Sequence, residues 1–200
     1  MHQDIRVGIL GFAHGHVNNY IQQWRERPEL GIRVVAGWDH DPARLEKACK
    51  THGSESCASS GALLARKDID AVVITSETAG HAALVEEAAA AGKTIVLQKP
   101  LCLTLAEADR IVAAVAANKV RFTLAWQMRV DPQNRQIRDL VADGRFGRVM
   151  ILRRKHCLPA HRWKIETMWH FDPALGGDIF ADDAAHAIDF VYWMLGMPVS

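Results

Sequence analysis

The sequence predicts an α/β chain: a parallel-sheet domain in residues 1–126, then the start of an α+β open-sheet domain in residues 127–200. Three observations carry this. Short β-branched runs alternate with longer stretches of helical period, which is the signal of βαβ units. The rhythm changes around Trp126, where Asp131-Pro132 opens a helix and an extended run follows. The chain is 49% hydrophobic and 24% charged over 200 residues, a balance that lets a globular protein bury roughly 70% of its unfolded surface without a disulfide or metal.

Five strands are predicted in the first domain, at Arg6–Leu10, Arg33–Trp38, Ala71–Thr75, Thr94–Gln98 and Arg121–Ala125. Helices fill the intervals. Val17, Tyr20, Ile21 and Trp24 share one helical face, with Pro28 beyond its end. Pro42 suits a first helical turn with Asp41 as its cap. Ala82–Ala91 is stopped by Gly92, and Thr104 with Glu107 forms a capping box for a helix to about Asn118. In the second domain a helix runs from Asp131-Pro132 to Gly144. A strand spans Arg148–His156, an aromatic and histidine-rich stretch spans Pro159–Phe171, and a last helix spans Asp182–Leu195 after a Gly176-Gly177 turn.

Charge and composition exclude several classes of function. Net charge is +1, from 24 basic and 23 acidic residues, and the two signs are interspersed. This leaves no electrostatic footprint for nucleic acid or a membrane surface. No run of 18 apolar residues could span a bilayer. Cys49, Cys57, Cys102 and Cys157 are scattered without paired spacing, and no signal-peptide core precedes the first strand. The expectation is a cytoplasmic protein with reduced thiols.

The first strand runs into Val7-Gly8-Ile9-Leu10-Gly11-Phe12-Ala13-His14-Gly15-His16, which opens the first helix. Small residues at such a turn let a backbone approach a pyrophosphate at a helix N-terminus, the arrangement of a Rossmann dinucleotide site. Gly11 takes the first glycine place, Ala13 the second and His16 the third, with Gly15 one residue early. The next strand ends in Trp38-Asp39, and an acid there can hold adenosine ribose hydroxyls and repel a 2′-phosphate, favouring NAD over NADP. His40 and Arg44 lie close enough to soften that preference. His14 and His16 could suggest a zinc site in a β/α barrel, but a barrel needs about 250 residues, so no metal is expected.

Two further constellations carry chemistry. Gln98-Lys99-Pro100 closes the strand Thr94–Gln98 at the carboxyl edge, where ligands bind in open α/β sheets. Asp182 and His186 are spaced to share one helix face, a pairing suited to general-base work.

These residues together resemble the Gfo/Idh/MocA family, the glucose–fructose oxidoreductase and inositol dehydrogenase type. The resemblance spans essentially the whole chain. It includes the Gly11 turn, Asp39, Asp70–Thr75 with His81, Ala91-Gly92-Lys93, Gln98-Lys99-Pro100, Arg129-Val130-Asp131-Pro132, Gly144–Gly147, and Gly176-Gly177-Asp178 leading to Asp182 and His186. It implies a nicotinamide-dependent oxidoreductase acting on a sugar, polyol or related hydroxy compound. Catalytic residues would be Lys99, Asp182 and His186. The cofactor would be NAD, with NADP less favoured, held by Gly11, Phe12, Ala13, His14, Asp39, Thr75, His81, Gln98 and Lys99. The substrate would meet Lys99, Arg129, Asp182 and His186.

The resemblance also implies a cis Lys99–Pro100 peptide and a homo-oligomer, dimer or tetramer, for the full-length protein. Three positions depart from the family pattern: Gln98 stands for glutamate, Ala13 adds a methyl, and Glu77 stands where asparagine is frequent. Two outcomes of the same fold stay open beside the dehydrogenase, an NAD-dependent glycoside hydrolase and a non-catalytic dinucleotide or sugar sensor. A short-chain dehydrogenase is excluded, because Trp24 and Gly196 stand where Tyr20 and Tyr192 would each need a lysine. The chain is expected to be the N-terminal part of a longer protein. Its second domain would then be incomplete, leaving Ile188, Phe190, Val191, Met194 and Leu195 partly exposed.

Overall fold

The computed structural model describes residues 4–155, 157, 165–178 and 180–196. Six parallel strands form one sheet: β1 Ile5–Leu10, β2 Ile32–Trp38, β3 Glu55–Ser56, β4 Ala71–Ile74, β5 Thr94–Gln98 and β6 Phe122–Ala125. Their spatial order is β3-β2-β1-β4-β5-β6. That order reverses direction between β1 and β4, and such a reversal opens a crevice at the carboxyl ends of the strands. All five predicted strands form. The two-residue β3, paired to β2 through Ala36 and Gly37, and a short helix at 60–64 are additions that no apolar period announced.

Helices α1 His16–Glu26, α2 Pro42–His52, α3 Ser60–Leu64, α4 His81–Ala90 and α5 Leu105–Asn118 cover the sheet. Central strands are therefore apolar throughout rather than alternating. The alternation instead sorts their residues between two cores. Leu10, Val72, Ile74, Ile95 and Leu97 pack with Leu63, Val85 and Ile111 on one face. Val7, Ile9 and Val73 pack with Phe12, Val17 and Ile21 on the other. Each such side chain contributes about 1.5–3 kcal/mol when fully buried. The caps behave as their chemistry requires: the Asp41 carboxylate accepts from the Ala43 and Arg44 backbone N–H groups, and Thr104 and Glu107 close a reciprocal box.

Beyond β6 come α6 Pro132–Ala142, capped by Asp131, and α7 Ala185–Leu195. The guanidinium of Arg138 on α6 lies 5.1 Å from the Trp193 ring centre of α7, and Met194 is buried. The apolar side of α7 is thus covered in part, while Ile188 remains 48% exposed.

Two expectations for this region are corrected. Residues 148–155 form no strand; a β-branched run becomes a strand only where a neighbour pairs its backbone, and none runs beside it among the described residues. His156 and residues 159–164 of the aromatic stretch lie outside the described residues, and Ile165–Phe171 forms tight helical turns. The last helix does not begin as a regular helix at Asp182. Phe180–Ala184 is a π-helical turn, and the α-helix starts at Ala185. Such wide turns occur frequently at functional sites. Among the described residues no helix is long and apolar enough to cross a membrane.

Candidate active site

The turn after β1 lies at the switch point. Gly11 has φ +86°, and a Cβ there would stand 2.5 Å from the backbone of Ser76. Only glycine fits, on conformation and on space. Thr75, at the end of β4, shapes the turn from the other side: its hydroxyl donates to the Gly11 carbonyl, and its own carbonyl accepts from the His14 N–H at 2.9 Å. Gly15 caps α1 without a side-chain bond, and the first turn of α1 holds no acid. An anion placed there meets the positive end of the helix, where the His16 N–H is bonded to His14 Nδ1 at 3.3 Å and the Val17 N–H to the His14 carbonyl at 3.2 Å.

The side chains of two residues expected at the cofactor turn inward. The Phe12 ring turns into the core, filling the space beside Gly37, where an added Cβ would come within 2.6 Å of it. His81 is buried beneath the chain that follows β5, with Nδ1 2.9 Å from the Pro100 carbonyl. A carbonyl only accepts, so this nitrogen carries the proton, and His81 holds the Lys99–Pro100 turn in place. That peptide is cis.

Lys99 ends β5 with its ammonium 2.7 Å from Asp182 Oδ1. The two side chains are 5% and 3% exposed. Asp182 Oδ2 lies 3.0 Å from His170 Nδ1. Burial alone would raise the Asp182 pKa, but the His170 hydrogen bond and the Lys99 charge outweigh it and hold the carboxyl well below its usual range. His186, near the start of α7, is buried with its ring 5.5 Å from Trp126, edge to face. Its carbonyl accepts from Arg154 at 2.8 Å. Arg129, expected to meet substrate, makes a two-pronged pair with Asp189, at 3.0 and 2.6 Å. Beside this group a cleft of about 580 Å³ is lined by Pro100, Leu101, Trp126, Ala185, Asp189 and Tyr192.

A second polar group joins the glycine turn to the lysine. Gln98 is fully buried; Tyr20 donates to its Oε1 at 2.8 Å, and its Nε2 lies 2.7 Å from His16 Nδ1 and 3.3 Å from His14 Nε2. Trp169 and His170 lie against His14, and the Trp169 indole donates to the Ala13 carbonyl at 3.3 Å. Gly176 permits this packing, since a Cβ there would stand 2.7 Å from the Trp169 carbonyl. Trp169, His170 and Asp189 were not singled out from the sequence, because nothing local marks contacts made across so many residues.

Burial is the first cause that lowers the pKa of His14, His16 and His81. The neighbouring histidine and Lys99 add to it for His14, and Lys99 adds to it for His16. The unfolded chain takes up these protons near pH 6.5 and the folded chain does not. Their stabilisation is therefore present above pH 6.5 and lost as pH falls, and Asp182 continues the same trend below pH 4. Each unit of depression is worth about 1.4 kcal/mol, or about 3–6 °C in a chain of this size. The melting temperature should fall by several degrees between about pH 7.5 and pH 5; a flat calorimetric profile would mean that the three rings protonate freely in the fold.

The six-stranded parallel order and the glycine turn at its switch point define a Rossmann-type dinucleotide-binding fold. Residues 5–125 match the model of an oxidoreductase family with an NAD-binding Rossmann fold, and residues 134–200 match the GFO/IDH/MocA C-terminal domain. The chain belongs to the Gfo/Idh/MocA family. Inositol 2-dehydrogenase of Ralstonia nicotianae is 33% identical over 96% of this chain and 55% of its own length. Inositol 2-dehydrogenase of Rhizobium meliloti is 32% identical over 98% and 57%. Scyllo-inositol dehydrogenase of Lactobacillus casei, solved without ligand, superposes with a TM-score of 0.82 at 26% identity, over 97% of this chain and 56% of that one. The chain thus spans little more than half the length of the relatives it matches.

Proposed function

We propose that the protein carrying this chain is an NAD-dependent dehydrogenase that oxidises a secondary hydroxyl of a cyclic polyol or sugar. The observation that supports it most is the buried Lys99–Asp182 pair at the carboxyl end of β5, close to a switch-point turn and in a family whose relatives include inositol dehydrogenases. The residues fit a dinucleotide. Gly11 lets the turn close against Ser76, Gly15 at the start of α1 has open space around it, and the positive end of that helix favours a pyrophosphate. Bound NAD supplies the hydride acceptor.

The chain's own residues do the rest. His186 takes the hydroxyl proton as the carbon loses its hydride. Lys99 donates to the reacting oxygen and stabilises its developing negative charge. Asp182 fixes the ammonium in place, and His170 in turn orients Asp182. A cleft of about 580 Å³ adjoins these residues through Pro100, Ala181 and Ala185, and its size suits a small ring. The protein works in the cytoplasm as a homo-oligomer, with residues 1–126 as cofactor domain and the chain from 127 as the start of the substrate domain.

The test is direct. Calorimetric titration should show NAD binding, with NADP weaker, and the natural protein should release reduced nicotinamide when given myo-inositol or another cyclic polyol. Cleavage of glycosides with no net NADH would turn the reading to a hydrolase. Failure to bind either dinucleotide would remove it.

A further inference from the structure

A second charged group stands apart from Lys99 and Asp182, and the chemistry above does not use it. Asp39 follows β2 and Glu77 follows β4, and these strands flank β1 on its two sides. The two carboxylates come together at the carboxyl ends of these strands, within reach of one guanidinium nitrogen. Arg44, from the first turn of α2, joins them. Its Nε and Nη2 donate to the two Asp39 oxygens at 2.8 Å each, and Nη2 lies 2.9 Å from Glu77 Oε1. His40 Nδ1 is 3.6 Å from both acids.

The two acids are not equivalent. Asp39 also accepts from the Phe12 and Asp41 N–H groups at 2.6 and 2.8 Å, and its side chain is fully buried. Four donors fill the acceptor capacity of a carboxylate, so Asp39 is committed to shaping the turn. Glu77 keeps acceptor capacity beyond its Arg44 contact, and it belongs to the loop after β4, beside the glycine turn. Two acids and one guanidinium sum to a net charge of −1 at this rim.

We propose that Glu77 is a selectivity-determining carboxylate for the adenosine end of the dinucleotide. Its charge, added to that of Asp39, excludes a 2′-phosphate, and Arg44 is the counter-cation held between the two acids. This deepens the dinucleotide reading and rests on it. It also explains why an Asp39 substitution would be hard to interpret, since it frees Arg44 and disturbs the Phe12 N–H at the same time.

The test reads binding rather than turnover. Calorimetric dissociation constants for NAD and NADP are measured on the protein, on Glu77→Gln and on Glu77→Asp. Glu77→Gln should bind NADP about tenfold more tightly, the relief of one like-charge repulsion of ~1.4 kcal/mol, with NAD affinity within about threefold. Glu77→Asp keeps the charge and should keep the original ratio. Without any substitution, raising salt from about 20 to about 300 mM should shrink the NADP-to-NAD ratio of dissociation constants at least threefold or so, because repulsion over this distance is screened.

If Glu77→Gln melts cooperatively and its ratio is unchanged, the proposal is overturned while the dinucleotide reading stands. If that variant does not fold, the salt titration decides, and an unchanged ratio overturns the proposal. If the unsubstituted protein binds neither dinucleotide, both readings fall together.

Discussion

Replacing Lys99 with methionine should lower the melting temperature by about 6–20 °C and reduce polyol oxidation at least ~100-fold. The stability figure follows from the geometry. The ammonium and the Asp182 carboxylate are 2.7 Å apart and almost wholly buried. Removing one partner of such a pair costs about 3–5 kcal/mol, because the other charge stays buried without compensation, and each kcal/mol is worth about 2–4 °C in a domain of this size. His170, 3.0 Å from the other carboxylate oxygen, softens the loss and places it towards the lower end. The rate figure follows from removing a donor aimed at a developing oxyanion.

A double substitution separates the two effects. Lys99→Met with Asp182→Leu removes both charges and should recover most of the stability, since an apolar pair can replace a buried ion pair at little cost. It should recover none of the activity. Calorimetry on the single and double variants checks the first claim, and steady-state assays of the natural protein check the second. A Lys99→Met protein that melts like the parent would show that the pair carries no buried charge worth keeping.

The sheet was legible because its signals are local. Apolar runs such as Ala71–Ile74, the Thr104–Glu107 box and the Asp41-Pro42 start each state their geometry within a few residues. The placement of Lys99 at a strand end followed from the strand pattern and the cis Lys99–Pro100 peptide from the family resemblance, and both agree with the structure. What failed to show was long-range or contextual. Residues 148–155 have strand-like composition and no partner strand among the described residues. The commitment of Asp39 to Arg44 and to the Phe12 N–H, and the burial of His81 under Pro100, depend on which loops meet at the strand ends. Spacing along the chain does not encode that. Asp182 and His186 were legible as a pair by their spacing, yet the π-turn at Phe180–Ala184 means that ordinary helical geometry does not relate them.

The second large effect concerns His186. Replacing it with alanine should reduce kcat for polyol oxidation about 10²–10⁴-fold, the range supplied by a positioned general base, while the dissociation constant for NAD changes by less than about twofold. The split follows from position. His186 stands on α7, its ring edge-on to Trp126, beside the cleft that Trp126 and Ala185 help to line. The glycine turn that suits a dinucleotide belongs to β1 and α1. Alanine at 186 also leaves the Lys99–Asp182 pair intact, so the melting temperature should fall by less than in Lys99→Met. A residue that merely filled space would change stability and leave the pH dependence alone. A base makes a sharper claim: the parent's rate should fall at low pH as the imidazole is protonated, and that limb should vanish in His186→Ala and in His186→Gln, which preserves much of the volume. If His186→Gln keeps both the rate and the acidic limb, the proton leaves the substrate by another route and the assignment of His186 is wrong.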